Sequence, residues 1–238
     1  MDTVKFEKGK TLAVAHRGVS GLETENTAAA FVAAGNRSYY GVETDMRKTA
    51  DGKFIVCHDR TLVRTAGENF NVEEVSLEVV QSVCLFDNDG IRRSDLRIPT
   101  LEEYIRICKK YGKHCVLELK GEYTDEDTAD YIEIIRSLGY LDQVTFISFN
   151  YENLKKVRAI CPDQLVQFLF CQLTDELFDR MVADKFDVDV HHVIVNEEMV
   201  KRFHSAGMKI NCFTVDDKAR AEELASLGVD FVTTNILE

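Results

Sequence analysis

The sequence contains no tryptophan, only two prolines and fewer basic than acidic residues. Its 29 Lys and Arg against 41 Asp and Glu give a formal net charge of −12. Nucleic acids and anionic membrane surfaces bind proteins through clustered basic residues, and here Lys and Arg are interspersed with acids throughout. We therefore expect no nucleic-acid partner.

Long apolar runs are also missing. No stretch approaches the roughly 18–20 consecutive apolar residues that a membrane-spanning helix needs. The N-terminus reads Met-Asp-Thr-Val-Lys-Phe-Glu-Lys, without the basic lead and apolar run of a signal peptide. We expect no membrane insertion and a cytoplasmic location.

Cysteine occurs seven times, but no CxxC pair is present. An odd number of scattered thiols, several of them inside apolar runs, is typical of reduced core cysteines. Without paired thiolates, a zinc site of the Cys-rich type is disfavoured.

No linker or low-complexity segment interrupts the chain, so residues 1–238 are predicted to form one domain. Short β-branched runs alternate with amphipathic stretches that carry helix start and stop signals. This alternation favours an α/β fold of the (β/α)8 barrel type over the alternative, a doubly wound open sheet. The eight predicted strands are Leu12–Ala15, Gly41–Met46, Cys115–Lys120, Val144–Phe149, Leu165–Cys171, Val188–His192, Lys209–Thr214 and Val229–Thr234.

Polar residues collect where the first two strands end. His16 and Arg17 directly follow the first strand, at the carboxyl end where such barrels place their active sites. On the second strand, alternation points Glu43 and Asp45 to the same side. Two buried carboxylates side by side are costly unless one is protonated or a cation lies between them.

The third strand repeats the pattern, because Glu118 and Lys120 share one of its faces. Three carboxylates and a lysine at one barrel mouth predict one divalent cation with an anionic ligand opposite it. Oxygen ligands favour Mg²⁺ or Ca²⁺, with Mn²⁺ as a further candidate. For this strand alone, a structural ion pair between Glu118 and Lys120 is the alternative.

Asp51-Gly52 is a hairpin turn signal, and the strand after it brings His58 toward the same end of the barrel. Two histidines, a hard metal, an Arg and a Lys suit attack on a phosphodiester. They provide a base, an acid and cations for the non-bridging oxygens. The pair His191-His192, at the end of the sixth strand, either lines the mouth or lies at a solvated edge.

Further short motifs extend this set along the chain. They are His16-Arg17-Gly18, Glu25-Asn26-Thr27, Glu43-x-Asp45, Thr49-x-Asp51-Gly52, His58-Asp59-x-x-Leu62-x-Arg64-Thr65, Ile98-Pro99-Thr100-Leu101, Glu118-Leu119-Lys120, Ser148-Phe149 and Gly228-Val229-Asp230. In order and spacing they resemble the glycerophosphodiester phosphodiesterase family, and the resemblance covers essentially the whole chain.

The resemblance implies a (β/α)8 barrel with a short insertion at about residues 59–98. It implies metal-dependent hydrolysis of a small glycerophosphodiester to an alcohol and glycerol 3-phosphate, in phospholipid and glycerol metabolism. The implied roles are metal binding by Glu43, Asp45 and Glu118, acid/base catalysis by His16 and His58, and phosphate binding by Arg17 and Lys120. Which histidine is the acid stays open, as do the alcohol, the native metal and the oligomeric state.

The chain departs from the family pattern at three places. Residues 213–216 read Phe-Thr-Val-Asp, where the family often has Trp-Thr-Val-Asn. Phe213 keeps an aromatic platform for substrate binding, and Asp216 is expected to add a carboxylate to the site. Asn235 replaces an aspartate after the last strand, and Thr24 replaces a proline before Glu25. These departures concern the alcohol specificity rather than the reaction.

Two alternatives remain. A lysophospholipase D or sphingomyelinase D-like phosphodiesterase would need an apolar groove or a membrane-binding loop, whereas residues 59–99 mix apolar side chains with acids. A non-catalytic barrel that binds phosphodiesters could dispense with a histidine or a carboxylate, and this chain has kept all of them.

Overall fold

The computed structural model describes residues 2–238. Its strands, in chain order, are β1 (Leu12–Ala15), β2 (Gly41–Lys48), β3 (Phe54–Val56), β4 (Thr61–Leu62), β5 (Glu68–Asn71), β6 (His114–Leu119), β7 (Val144–Ser148), β8 (Leu165–Phe170), β9 (Asp187–His191), β10 (Ile210–Phe213) and β11 (Phe231–Thr234). Its α-helices are α1 (Ala28–Gly35), α2 (Val63–Ala66), α3 (Leu77–Ser82), α4 (Leu101–Tyr111), α5 (Asp125–Ser137), α6 (Tyr151–Ile160), α7 (Asp175–Asp184), α8 (Glu197–Ser205) and α9 (Lys218–Leu227).

The central sheet is a closed barrel. Its parallel strands follow the order β1-β11-β10-β9-β8-β7-β6-β2, and β1 pairs with β2 to complete the ring. The predicted (β/α)8 barrel is therefore confirmed, and the doubly wound open sheet is wrong. Each predicted barrel strand is found, with its ends displaced by no more than two residues.

Local sequence explains where the elements begin and end. The Thr100 hydroxyl accepts from the Glu103 backbone N–H while the Glu103 carboxylate accepts from the Thr100 N–H, which caps α4 at its start. Gly228 ends α9 at a φ of +89°, a left-handed conformation that costs glycine little. Gly52, at φ +76°, makes the turn that pairs β3 antiparallel to β2, so the predicted hairpin is confirmed.

The segment from β3 to the start of α4 packs as a small layer beside the barrel. Its buried side chains form their own apolar cluster, consisting of Ile55, Cys57, Leu62, Ala66, Val72, Val80, Leu85, Leu96 and Ile98. The barrel interior holds a separate cluster of Val14, Val116, Ile147 and Leu169. This layer carries the loop with His58 and so positions that residue relative to the barrel mouth.

The cysteines are all free, and Cys57, Cys108, Cys115 and Cys212 are buried as predicted. Cys171 is exposed, against the prediction, because it follows the last residue of β8. Among residues 2–238, none of the helices combines the length and apolar character needed to span a bilayer.

His114 is a buried histidine at the amino end of the barrel, away from the predicted site. Its Nε2 lies 2.8 Å from the Thr145 hydroxyl, and its ring stacks on Tyr40. Burial lowers the pKa of His114 to about 4. In the unfolded chain, a histidine titrates near about 6.5. The folded state therefore gains stability from neutral His114 above about pH 6.5, and loses it as the pH falls toward 4.

His114→Gln should flatten this acid limb, since glutamine does not titrate. Between pH 7 and pH 5, the wild-type free energy of unfolding should fall by about 1–2 kcal/mol more than that of the variant. Denaturant unfolding at the two pH values measures the difference. Equal losses of unfolding free energy in both proteins would show that folding does not lower the pKa of His114.

Candidate active site

A cavity of about 280 Å³ opens at the carboxyl ends of the barrel strands. Its lining residues come from nearly every strand and are His16, Arg17, Glu43, His58, Glu118, Lys120, Ile147, Phe149, Leu169, Asp189, His191, Phe213, Thr214 and Thr233. Seven of the eight residues predicted from the sequence are in this lining, and the eighth, Asp45, lies directly behind it, in contact with Lys120. A surface groove of about 400 Å³ beside α4 and α5 contains none of them.

Three buried carboxylates form the centre of the site. Oxygen atoms of Glu43, Asp45 and Glu118 lie within 4.8 Å of one another, since Asp45 on β2 is opposite Glu118 on β6. The Lys120 Nζ lies 3.2 Å from Asp45 Oδ1 and 2.9 Å from Glu118 Oε1. Arg17 adds a second cation, with its Nε 3.3 Å from Asp45 Oδ2.

These charges shift the pKa values in opposite directions. Burial opposes ionisation of Asp45, but the charges of Lys120 and Arg17 hold its pKa below the usual range. Burial and the charge of Asp45 raise the pKa of Glu43 well above its usual range. The same two causes raise the pKa of Glu118 to about 7. Full ionisation of the three carboxylates would therefore exceed the charge of Lys120 and Arg17, and the cluster has the oxygen ligands to hold a further cation, a metal ion.

Arg17 is held in an uncommon backbone conformation. Its φ is +54°, a left-handed value that costs most residues energy and therefore needs support from its surroundings. The Arg17 N–H donates to Glu43 Oε2 at 2.8 Å, and the Arg17 carbonyl accepts from the Asn26 N–H at 2.9 Å. Gly18 follows at φ +79°, where an added Cβ would come within 2.6 Å of the Ala30 Cβ. The His-Arg-Gly motif is therefore explained by the turn as well as by its side chains.

His16 has one ring nitrogen fixed and the other directed at the carboxylates. Its Nδ1 lies 2.7 Å from Asn235 Oδ1, and its Nε2 lies 3.9 Å from Glu43 Oε2. Because an amide oxygen only accepts hydrogen bonds, Nδ1 carries a proton and Nε2 of the neutral ring is free to accept one. Burial and the charge of Arg17 lower the pKa of His16.

His58 is fixed in the same manner, but by a carboxylate. Its Nδ1 lies 2.7 Å from Asp59 Oδ1, and Asp59 Oδ2 accepts from Arg64 Nε at 2.8 Å. Arg64 also donates two hydrogen bonds to Glu25, at 2.6 and 2.8 Å. Glu25 in turn accepts from Arg17 Nη1 at 2.9 Å. One chain of charged hydrogen bonds therefore links the second histidine to the arginine of the site.

These positioning residues were present in the sequence motifs, but their roles were not predicted. Asp59, Arg64 and Glu25 belong to loops and to α2, where no strand alternation indicates a direction. Asp189 was not among the predicted site residues. The signal for it is the alternation of Asp187 and Asp189 on β9, which matches that of Glu43 and Asp45 on β2. His191, which the sequence left open, lines the cavity.

Residues 16–238 match the model of the Glycerophosphoryl diester phosphodiesterase family. The chain belongs to the glycerophosphoryl diester phosphodiesterase family. It is therefore a phosphoric diester hydrolase, as its motifs predicted.

Relatives of known name cover almost the whole chain. A glycerophosphodiester phosphodiesterase of Caldanaerobacter subterraneus subsp. tengcongensis is 29% identical over 230 residues, covering 95% of this chain and 94% of the relative. A phosphodiesterase of Oleispira antarctica, solved in complex with the product sn-glycerol-3-phosphate, has a TM-score of 0.88 and 28% identity over 94% of this chain and 92% of that chain. A glycerophosphodiester phosphodiesterase of Parabacteroides distasonis has a TM-score of 0.79 and 27% identity over 96% and 94% of the two chains.

Two departures from the family pattern lie in contact with each other. Asn235 Nδ2 donates to Asp216 Oδ2 at 2.5 Å, and the Asn235 N–H donates to Asp216 Oδ1 at 2.8 Å. The family often has asparagine at the position of Asp216 and aspartate at the position of Asn235, so this chain has exchanged the pair. Asp216 does not line the cavity, which corrects the expectation that it adds a carboxylate there. Its charge supports Asn235, which orients His16.

The remaining departures also have local explanations. Thr24 donates to the Phe86 carbonyl at 2.8 Å and so ties the β1–α1 loop to the layer beside the barrel. Phe213 keeps an aromatic face at the mouth, in edge-to-face contact with Phe149 and His191 at centroid distances of 5.9 and 5.7 Å.

The exchanged pair predicts a reciprocal mutational pattern. Asn235→Asp alone places two carboxylates in contact and should lower the free energy of unfolding by about 1–3 kcal/mol, with a loss of kcat/KM. Asn235→Asp combined with Asp216→Asn restores a donor between the two residues and should recover most of both losses. Denaturant unfolding and steady-state kinetics on the four proteins measure the coupling. Additive effects in the double variant would contradict a direct interaction.

Proposed function

We propose that this enzyme hydrolyses glycerophosphodiesters to an alcohol and glycerol 3-phosphate with the help of a bound divalent cation. Two histidines, the cationic side chains of Arg17 and Lys120, and a cluster of three carboxylates meet at one cavity, and this arrangement supports the proposal. The Oleispira antarctica relative, whose structure contains sn-glycerol-3-phosphate, supports the same product here.

The carboxylates fit a hard cation such as Mg²⁺ or Ca²⁺. Asp45 Oδ1 is buried and, although Lys120 Nζ lies 3.2 Å away, it accepts no hydrogen bond of regular geometry, so this oxygen can still bind a cation beside the Glu43 and Glu118 oxygens. All-oxygen ligands of this kind select hard ions over zinc. Such an ion stabilises negative charge on a phosphoryl oxygen and lowers the pKa of a hydroxyl or water.

Arg17 and Lys120 bind the phosphodiester. The buried Arg17 Nε–H makes no hydrogen bond within the protein, although it lies beside Asp45, so the guanidinium retains a donor for a phosphate oxygen. Lys120, 13% exposed at its side chain, supplies a compact charge from the facing strand. Arg17 and Lys120, which follow β1 and β6, thereby offer positive charge to the phosphate oxygens in the cavity that both histidines line.

The histidines perform the proton transfers. Each has Nδ1 engaged with Asn235 or Asp59, and each leaves Nε2 for the reacting atoms. One accepts the proton of the attacking oxygen, and the other donates a proton to the departing alkoxide. Asp59 and Asn235 preserve the tautomers that these transfers require.

The cavity size favours a small alcohol over a lipid. Sites for drug-sized ligands occupy roughly 300–1,000 Å³, and this cavity of about 280 Å³ lies just below that range. Phe149, 50% exposed at the mouth, offers an apolar face to the alcohol group. A lysophospholipid is the competing substrate class and is included in the test below.

The proposal is tested with glycerophosphocholine, glycerophosphoethanolamine and glycerophosphoglycerol, using coupled detection of glycerol 3-phosphate. Lysophosphatidylcholine would give choline and lysophosphatidic acid instead, so its cleavage is compared with that of glycerophosphocholine by coupled detection of choline. EDTA should abolish turnover, and Mg²⁺, Ca²⁺ or Mn²⁺ should restore it.

Glu43→Gln should weaken Mn²⁺ binding in calorimetry and reduce kcat/KM, each by at least about tenfold, because it removes a charged ligand. Glu133→Gln, which changes an exposed surface carboxylate, is the matched control. Turnover that survives EDTA and Glu43→Gln would exclude the metal, and faster cleavage of lysophosphatidylcholine would favour the lipid.

A change of leaving group should separate the two histidines. His16→Ala and His58→Ala should each lower kcat by roughly 10²–10⁴-fold on glycerophosphocholine. On a nitrophenyl phosphodiester the leaving group needs no proton, so only the variant that lacks the base should remain as impaired. Equal relative defects on both substrates would contradict the division into acid and base.

A further inference from the structure

Asp189 is a buried carboxylic acid of the cavity with no role in the reaction described above. It lies on β9, which is four strands from β2 in the eight-stranded ring and so faces the metal-binding carboxylates across the barrel. Its side chain lines the cavity but is only 1% exposed as a residue. No Lys, Arg or His among residues 2–238 forms an ion pair with it.

A short chain of hydrogen bonds determines which oxygen of Asp189 is occupied. Thr233 Oγ1 donates to Asn211 Oδ1 at 3.1 Å, which directs Asn211 Nδ2 toward Asp189. That Nδ2 donates to Asp189 Oδ2 at 3.1 Å. Oδ2 is therefore an acceptor, while Asp189 Oδ1 is buried and has no hydrogen-bond partner in the described part of the chain.

An unpartnered buried carboxyl oxygen is costly, and the cavity is the side from which a partner can come. Ile147 and Leu169 line the cavity near this strand and offer no polar atom. Burial and the charge of Glu118 raise the pKa of Asp189 well above its usual range. The phosphate is not that partner, because the phosphate-binding cations Arg17 and Lys120 follow β1 and β6, each three strands from β9 in the ring.

We propose that Asp189 Oδ1 binds a hydroxyl of the substrate's glycerol group, on the wall of the cavity opposite the carboxylate cluster. A hydroxyl both donates and accepts hydrogen bonds, so it satisfies Oδ1 whether or not the carboxyl carries a proton. This subsite rests on the proposed function, and it makes Asp189 a specificity residue: it distinguishes glycerol-bearing phosphodiesters from diesters without hydroxyls. A site that hydrogen-bonds a substrate hydroxyl discriminates against analogues without one, because its buried polar group is then left without a partner.

The test compares two phosphodiester substrates in the metal-loaded protein: glycerophosphocholine, which has glycerol hydroxyls, and bis(p-nitrophenyl) phosphate, which has none. The readout is the ratio of their kcat/KM values. Asp189→Val removes the polar group and should lower this ratio at least tenfold, mainly through KM for glycerophosphocholine. Asp189→Asn keeps an acceptor for Asn211 and a donor for the hydroxyl, and should keep the ratio within threefold of wild type. Asp189→Ala replaces Asp189→Val if the latter does not fold.

Each outcome decides the assignment. An unchanged ratio in Asp189→Val or Asp189→Ala overturns the assignment. A fall of the ratio in Asp189→Asn as large as that in Asp189→Val also overturns it, because it would show that Asp189 acts through its negative charge on the choline ammonium group. A second readout is the calorimetric affinity for sn-glycerol 3-phosphate relative to ethyl phosphate, which should fall in Asp189→Val and not in Asp189→Asn. Wild type that binds both ligands but hydrolyses no glycerophosphodiester would refute the proposed function, while this binding comparison would still test Asp189.

Discussion

The repulsion between buried carboxylates on β2 is the constraint on which the rest of the site depends. Glu43 and Asp45 are 2% and 0% exposed, and alternation along the strand brings them to the same side. Burial of like charges is tolerated only where cations and donors surround them. Arg17 and the amide of Asn26, both in the β1–α1 loop, and Lys120 after β6 meet that need. The left-handed turn at Arg17 brings its backbone N–H to Glu43 as well.

The cavity has two walls of different chemistry. One wall, from β1, β2 and β6, carries the histidine, the arginine, the lysine and the carboxylates. The other, from β7 to β10, presents Ile147, Leu169 and Phe213 around Asp189 and His191 of β9. A phosphodiester has the same division, with an anionic centre and two less polar arms. The geometry therefore orients the substrate as well as binding it.

The barrel and most of the residues that line its cavity could be predicted from two regularities. Side chains alternate along a strand, and active sites of such barrels lie at the carboxyl ends of the strands. Both can be applied to one strand at a time. Glu43, Asp45 and Glu118 could be placed together since each follows a buried run of known direction. Partners that come from another strand could not be read in this way. The contact of Asn235 with Asp216 depends on how two loops meet at the mouth, and that of Asp189 with Asn211 depends on the register of β9 against β10. Arg64 acts from α2, where no period indicates which residue it reaches.

The layer beside the barrel has its own apolar cluster and also supplies Asp59 and Arg64 to the charged network. The barrel core and this layer are two separately packed units, and separately packed units can open at different free energies. Partial opening of the layer would release His58 and also Arg64, a partner of Glu25, while the barrel stayed intact. The temperature at which activity is lost would then report the local stability of this layer rather than that of the barrel.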